Sequence, residues 1–454
     1  MKLAVIGGGG VRSMFLAKSI AQRAKELKID ELVFMDKDEE KLNIYGKMAK
    51  EVAKRICGDL DFSLTLNAKE AVENADYVIT TIREGGDEMR VRDERIALSH
   101  GVLGQETTGA AGFSFAIRSI SALTEYCELI RKYAKPNCKV FNFTNPAGLV
   151  SQILRDLGYD FTYGICDAPS GMLRTFEKLY GAPEGSAKGE VFGLNHLSYF
   201  TSVTIDGKEM LGDIIENEKA YTDTDLRYFD RELIRKSGAI FNEYLYYFYY
   251  REKALENILK ADKTRGEQIC EINKAMTAEL KGIDIENDFD TALSVFDKWY
   301  GERENNYMAS ETGIKRNNPW HFDIYQKDDG GYAGVALRFI ELETCGKEDS
   351  MILCVPNGGA VEGLNDSDVA EITCDIKNGE AIPHRFGKVD KEKLELIRRV
   401  KIYERFSSEA IRKKSVGKAV EALMVHPLVN SYSLARALVD DYLELNKDYT
   451  GGWK

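Results

Sequence analysis

The stretch KLAVIGGGGVRS, residues 2–13, decides the fold. An apolar strand runs into four consecutive glycines, and the chain resumes as RSMFLAKSIAQRAKELK, residues 12–28, with apolar residues at helical spacing. Strand, glycine loop and helix in that order are the context in which a dinucleotide phosphate is held. Glycines let the backbone come close to a pyrophosphate, and the helix start offers unpaired amides. The strict G-x-G-x-x-G spacing is not met, because Gly7 and Gly9 are followed by Arg12, and Gly8 and Gly10 by Ser13. A tight turn without a ligand would use the same residues. Asp36, at the end of the next strand ELVFMD, tips the balance. Its carboxylate can accept hydrogen bonds from an adenosine ribose and disfavours a 2′-phosphate. Gly8, Gly10 and Asp36 are therefore the candidate contacts to NAD, rather than NADP.

Outward from this unit the alternation continues. The charged helix DEEKLNIYGKMAKEVAKRI is followed by FSLTL, ADYVITTI, KVFNF and FTYGIC, each separated by helical or loop material. Six strands rich in Val, Ile and Phe, spaced by helices, predict a parallel sheet of the size a full dinucleotide-binding domain uses. After about residue 190 the pattern changes to long helical stretches (227–281 and 391–447), with short strands such as MILCVPN and AEITCDI between them. The expected class is α/β: a Rossmann-like domain over residues 1–193 and a mixed α+β domain over 194–454. No proline-rich or Gly/Ser-rich linker separates them, so the second region is expected to pack directly on the first.

The 454 residues carry a net charge of −12, which argues against a nucleic-acid partner, and no apolar run reaches the roughly 20 residues of a membrane span. The eight cysteines are scattered without a CxxC pair, as expected of reduced thiols in a cytoplasmic protein.

Working residues in parallel sheets gather beyond the carboxyl ends of the strands. Asn145 falls there in KVFNFTNPAGLV, Cys166 and Asp167 in GICDAPSG, and Asn195 and His196 in GLNHLSY. A thiolate and an imidazole converging on one point suit a metal ion, with positions left for substrate oxygens. Taken singly, each residue also has a plain reading: Cys166 as a small buried hydrophobe, His196 as a hydrogen-bonded core residue, Asn145 as a turn former.

The segments IGGGG, LGQETTGAAG, FNFTNPAGLV, GICDAP and GLNHLSY occur in this order with suitable gaps. Together they resemble family 4 of the glycoside hydrolases, whose NAD dependence sets them apart from two-carboxylate glycosidases. The resemblance spans nearly the whole chain and is strongest between residues 77 and 200. It implies lactate/malate dehydrogenase-like topology in the first domain and a divalent metal, most often Mn2+, held by Cys166 and His196. A thiolate is an unusual partner for manganese on grounds of softness.

The resemblance further implies a reaction with no net oxidation: hydride removal from C3 of the sugar, loss of the C2 proton to a tyrosine, departure of the C1 oxygen, addition of water and return of the hydride. The matching base is Tyr244 in AIFNEYLYYFYY, with Glu106 of LGQET tuning it. A tyrosine-rich helix is by itself more often core than catalysis. The substrate contacts implied are Arg90 (in GDEMR), Asn145 and Arg265 (in KADKTRGEQI), with guanidinium groups suited to phosphate. The partner implied is a phosphorylated disaccharide or glucoside, and family members are commonly dimers or tetramers.

Family enzymes acting on 6-phospho-α-glucosides resemble Cys-Asp at this cysteine, and those acting on β-glucosides usually have Cys-Asn. An aspartic acid can protonate a leaving oxygen directly, so Asp167 points to a 6-phospho-α-glucosidase. LGQETTGAAGFS and FNFTNPAG read more like the β branch, which makes the 6-phospho-β-glucosidase the runner-up. A plain NAD-dependent 2-hydroxy-acid dehydrogenase and a non-catalytic sugar-phosphate sensor are the alternatives of other classes. Residues 302–334, with Trp320 and His321, match the family poorly and are expected to shape the leaving-group side.

Overall fold

The computed structural model describes residues 1–315, 319–327 and 331–454. Part of the 302–334 segment, residues 316–318 and 328–330, lies outside them. The strands, in chain order, are β1 (Lys2–Ile6), β2 (Glu31–Met35), β3 (Asp61–Thr65), β4 (Tyr77–Thr80), β5 (Lys139–Asn142), β6 (Thr162–Gly164), β7 (Ala187–Leu194), β8 (Leu197–Ile205), β9 (Lys208–Glu209), β10 (Ile240–Phe241), β11 (Asp349–Pro356), β12 (Val369–Lys377) and β13 (Glu380–Pro383).

The first six form a parallel sheet in the order β3-β2-β1-β4-β5-β6. This is the doubly wound arrangement with its crossover point at β1 and β4, where Val5 lies between Phe34 and Ile79. Leu3, Val5, Leu32, Phe34 and Ile79 are fully buried, as a sheet covered on both faces requires. The glycine loop leaves β1 through Gly7 at φ 103°, and a Cβ there would stand 2.4 Å from the Thr81 carbonyl oxygen. No side chain caps the start of the helix Ser13–Leu27 that follows.

The same sheet does not stop at β6. Strand β11 returns from late in the chain, pairs antiparallel with β6 through Cys354 and Gly164, and is extended by β12 and β13 to nine strands. Gly164 is required at that seam, since a Cβ would meet Ser151 Oγ at 2.4 Å and Cys354 Cβ at 2.7 Å. The boundary expected at 193/194 falls where β7 turns into β8, an antiparallel pair that with β9 and β10 makes a second, smaller sheet.

The long helical stretches are broken. Residues 227–281 contain helices Arg231–Ser237, Tyr246–Tyr249, Arg251–Lys260 and Arg265–Leu280, with β10 among them. Gly238 ends the first in the left-handed conformation, and Thr264 starts the last with a reciprocal capping box to Glu267. The stretch 391–447 divides likewise into Lys391–Lys413, Val416–Val425 and Tyr432–Leu445. Among the described residues no helix is long and apolar enough to cross a membrane. All eight cysteines are free thiols, and only Cys345 is exposed.

Candidate active site

Two cavities open beyond the carboxyl ends of the parallel strands. The first, of about 810 Å³, is floored by Gly7, Gly9 and Gly10 and bounded by Asp36. The second, of about 560 Å³, is lined by Cys166, Asp167, His196, Tyr244 and Glu106. They share Arg12, Arg83, Arg90, Asn145 and Arg303 on their walls, so they adjoin.

In the first cavity Asp36 accepts the Gly9 amide at 2.9 Å through Oδ2 and the Asp38 amide at 3.0 Å through Oδ1. The carboxylate thus ties the glycine loop to the end of β2 and keeps lone pairs for a ribose. Gly10 lines this cavity, whereas Gly8 does not: its Cα faces inward, where a Cβ would lie 2.5 Å from that of Phe34. Gly8 serves close packing of the loop on β2 rather than contact with a bound molecule. An uncapped helix start, a loop in which a Cβ at Gly7, Gly8 or Gly9 would crowd its neighbours, and a carboxylate at the cavity's edge fit a dinucleotide.

In the second cavity β6 ends just before Cys166, and the β7–β8 turn carries His196. Cys166 Sγ and His196 Nε2 are 3.5 Å apart and both residues are buried. Bonds of about 2.3 Å to sulfur and about 2.1 Å to nitrogen, at angles of about 90–110°, place two donors roughly 3.1–3.6 Å apart on one ion. The pair therefore fits a shared cation with open positions. Among the described residues no third His, Cys, Asp or Glu completes a ligand set.

Burial holds the His196 imidazole neutral, lowering it to about 3, and pushes the Cys166 thiol up with help from Glu371 and Asp167. His196 takes a left-handed backbone conformation, φ 63°. Its turn is anchored from behind by Glu371 of β12, which accepts Asn195 Nδ2 at 3.0 Å and Ser198 Oγ at 2.6 Å.

The Tyr244 ring stacks on the His196 ring with centroids 3.8 Å apart and planes within 5°. Its phenol accepts a hydrogen bond from Tyr307 at 3.0 Å, and burial pushes its pKa well above the ordinary phenol value, holding it neutral. Asp167 stands at the start of helix Ala168–Tyr180 and lines the cavity. Burial raises its carboxyl while Arg12 and Arg174 oppose the shift.

Glu106 is gripped by Arg83 at 2.6 and 3.3 Å and by Arg90 at 3.3 Å. Despite its own burial, these cations hold it far below the usual carboxylate range. Arg90 is committed on both sides, since its Nε also donates to Glu94 at 2.8 Å. Arg265 is placed differently. Its Nη2 donates to the Arg303 carbonyl at 2.7 Å, and its buried Nη1 has no partner among the described residues. Arg303 likewise has an unpartnered, buried Nε. Burial and the neighbouring Arg12 and Arg265 lower the Arg303 guanidinium to about 10. Asn145 lies on the wall between the cavities.

Sequence reading singled out neither Thr107, Tyr307 nor Arg303. Arg12 entered it only as the residue that spoils the glycine fingerprint, yet it faces both cavities and donates to Tyr300 at 3.1 Å. Trp320 lines the second cavity and packs on Tyr300 at 5.1 Å, whereas His321 is exposed against Asp297 at 3.0 Å.

The family model described as family 4 glycosyl hydrolase matches residues 2–182, and that of the family 4 glycosyl hydrolase C-terminal domain matches residues 191–429. The chain is 30% identical to the 6-phospho-beta-glucosidase BglT of Thermotoga maritima over 99% of both chains. It is 26% identical to a 6-phospho-alpha-glucosidase of Leptotrichia buccalis over 98% of both. A solved structure of the Thermotoga maritima 6-phospho-beta-glucosidase with manganese, NAD+ and glucose-6-phosphate superposes with a TM-score of 0.81, at 29% identity and 99% coverage of both chains.

Proposed function

The chain belongs to the family 4 glycosyl hydrolases, and from that premise we propose that it cleaves 6-phospho-α-glucosides with NAD and a divalent cation, most simply Mn2+. The observation that carries the reading is the adjoining of the two cavities. A glycine-floored cleft opens onto a pocket that holds a Cys–His pair, a stacked tyrosine and, at Arg265 and Arg303, buried nitrogens without a partner among the described residues. The Thermotoga maritima relative, solved with manganese, NAD+ and glucose-6-phosphate, supports the same set of ligands.

When bound, the dinucleotide supplies a hydride acceptor and the cation, held by Cys166 and His196, a Lewis acid. The protein's own groups supply the rest. Arg265 and Arg303 present buried donors whose mutual repulsion an anionic 6-phosphate relieves. Arg90, already balanced by Glu94 and Glu106, contributes shape and field, with Asn145 beside it as a neutral sugar contact. Tyr244, neutral in this structure, would take the C2 proton as its phenolate, a form that positive charge brought in by bound ligands would favour, and Tyr307 orients its oxygen. Glu106, kept ionised by Arg83 and Arg90, sets the local charge that this phenol meets. Asp167, in the cavity wall and with its carboxyl raised by burial, is the group we assign to hand a proton to the leaving oxygen.

A second reading, the β-specific enzyme, is favoured by the 30% identity to BglT. Turnover of p-nitrophenyl α- and β-glucoside 6-phosphates in D2O with NAD+ and Mn2+ decides. The expected result is release from the α-anomer, with deuterium entering at C2 of the sugar. Hydrolysis of the β-anomer alone overturns the α assignment. Hydrolysis without NAD+, or unlabelled product, overturns the redox reading. Net NADH accumulation identifies a dehydrogenase instead.

A further inference from the structure

The side of His196 turned away from Cys166 faces a closed chain of hydrogen bonds. His196 Nδ1 lies 2.7 Å from Thr107 Oγ1, and Thr107 Oγ1 lies 2.7 Å from Gln105 Oε1. The Gln105 atom is an oxygen, because it also receives the backbone N–H groups of Thr107 and Thr108, each at 2.6 Å, and these can only donate. A threonine hydroxyl has one hydrogen. With Gln105 Oε1 a pure acceptor, that hydrogen points to Gln105, and Thr107 Oγ1 must receive one from His196. Were Nδ1 bare, the hydroxyl would face two acceptors at 2.7 Å with a single hydrogen to share. The proton therefore sits on Nδ1, and the lone pair of Nε2 is aimed at the space beside Cys166 Sγ, 3.5 Å away.

We propose that Gln105 and Thr107 act as positioning residues that lock His196 in its Nδ1–H tautomer, so that Nε2 and the Cys166 sulfur face one divalent cation. The proposal rests on the reading of Cys166 and His196 as cation holders given above. Tyr244, stacked on the ring face, restrains the tilt of the imidazole, and the Gln105–Thr107 relay restrains its rotation and proton. Hydrogen bonding to the far nitrogen of a ligating histidine fixes tautomer and orientation, and its loss commonly costs about 10–100-fold in metal affinity.

The test has two readouts on the full chain. In metal-free protein labelled with 15N-histidine, long-range 1H–15N spectra report which ring nitrogen of each of the five histidines is protonated, with H196Q assigning the signal. The expected result is Nδ1–H for His196 in the wild type and in T107S, and loss of that single form in T107V. Calorimetric titration with Mn2+ is expected to show affinity about 10–100-fold weaker in T107V and within about threefold of wild type in T107S. Thermal midpoints confirm that both variants are folded, and Q105E, which keeps the acceptor and the shape, is expected to retain the tautomer. An Nε2–H signal in the wild type overturns the proposal, as does equal Mn2+ affinity in T107V and wild type. Failure of the wild type to take up Mn2+ while its tautomer is as assigned overturns instead the reading of the Cys–His pair, and the proposal's cation with it.

Discussion

Replacing Glu371 by glutamine should flatten the pH dependence of stability. Glu371 is buried at the junction of β12 with the turn that carries His196, and burial raises its carboxyl from 4.5 to about 7 despite hydrogen bonds from Ser198 and Asn195. Between those values the folded protein binds a proton that the unfolded chain has lost. Stability from this group therefore falls as pH rises through the window. The lost stability is roughly 3 kcal/mol at 1.36 kcal/mol per pH unit. For a chain of 454 residues, at about 2 cal/mol/K of unfolding entropy per residue, this corresponds to about 3 °C in thermal midpoint. Glutamine has the same shape and no charge, so its altered hydrogen bonding adds an offset that does not vary with pH. Thermal scans of both proteins with a chelator present, from pH 5 to 8, should show the variant gaining about 3 °C on the wild type across the range. Parallel curves would refute the reasoning, because they would mean that the carboxylate is as well solvated in the fold as in the open chain.

Three further outcomes are expected. Arg303→Met should weaken binding of glucose 6-phosphate by about 10–100-fold, the loss of one charge-assisted contact, while leaving the thermal midpoint equal or higher because cation crowding is relieved; calorimetry and a thermal scan check both. Asp93→Ala strips the partner from the buried Arg118, which Asp93 grips at 2.6 and 3.1 Å, and should lower stability by about 3–5 kcal/mol in urea titrations. Gly7→Ala asks a β-carbon to occupy space 2.4 Å from Thr81 O at a φ of 103°; a loss of at least about 2 kcal/mol and weaker NAD+ binding by fluorescence titration are expected.

The parallel half of the sheet is legible in the sequence because each βαβ unit carries its own signal: KLAVI, ELVFM and YVIT each hold an unbroken run of apolar or aromatic residues with at most one polar residue at an end, and helical stretches separate them. The union of β11 with β6 is not, since Cys354 and Gly164 lie 190 residues apart and neither MILCVPN nor FTYGIC announces its neighbour. The helical stretch 227–281 looks continuous by periodicity, and only local events, the left-handed Gly238 and the Thr264 cap, divide it. In the site, Cys166, His196, Tyr244 and Glu106 stand out because their motifs resemble a family. Thr107 sits within one of those motifs, yet a hydroxyl gives no sign of its role until its two neighbours are seen. Arg303 was hidden by a different cause: one arginine in a chain this charged is ordinary, and what marks it is a buried Nε with no hydrogen-bond partner among the described residues.

The seam at Gly164 also bears on how such a molecule can be taken apart. Because late strands complete an early sheet, a fragment ending near residue 185 would present β6 as a raw, hydrogen-bond-hungry border, ready to stick to copies of itself. The two halves are thus poor candidates for expression as separate modules. The shared sheet likewise argues against the two halves swinging on a hinge as rigid jaws.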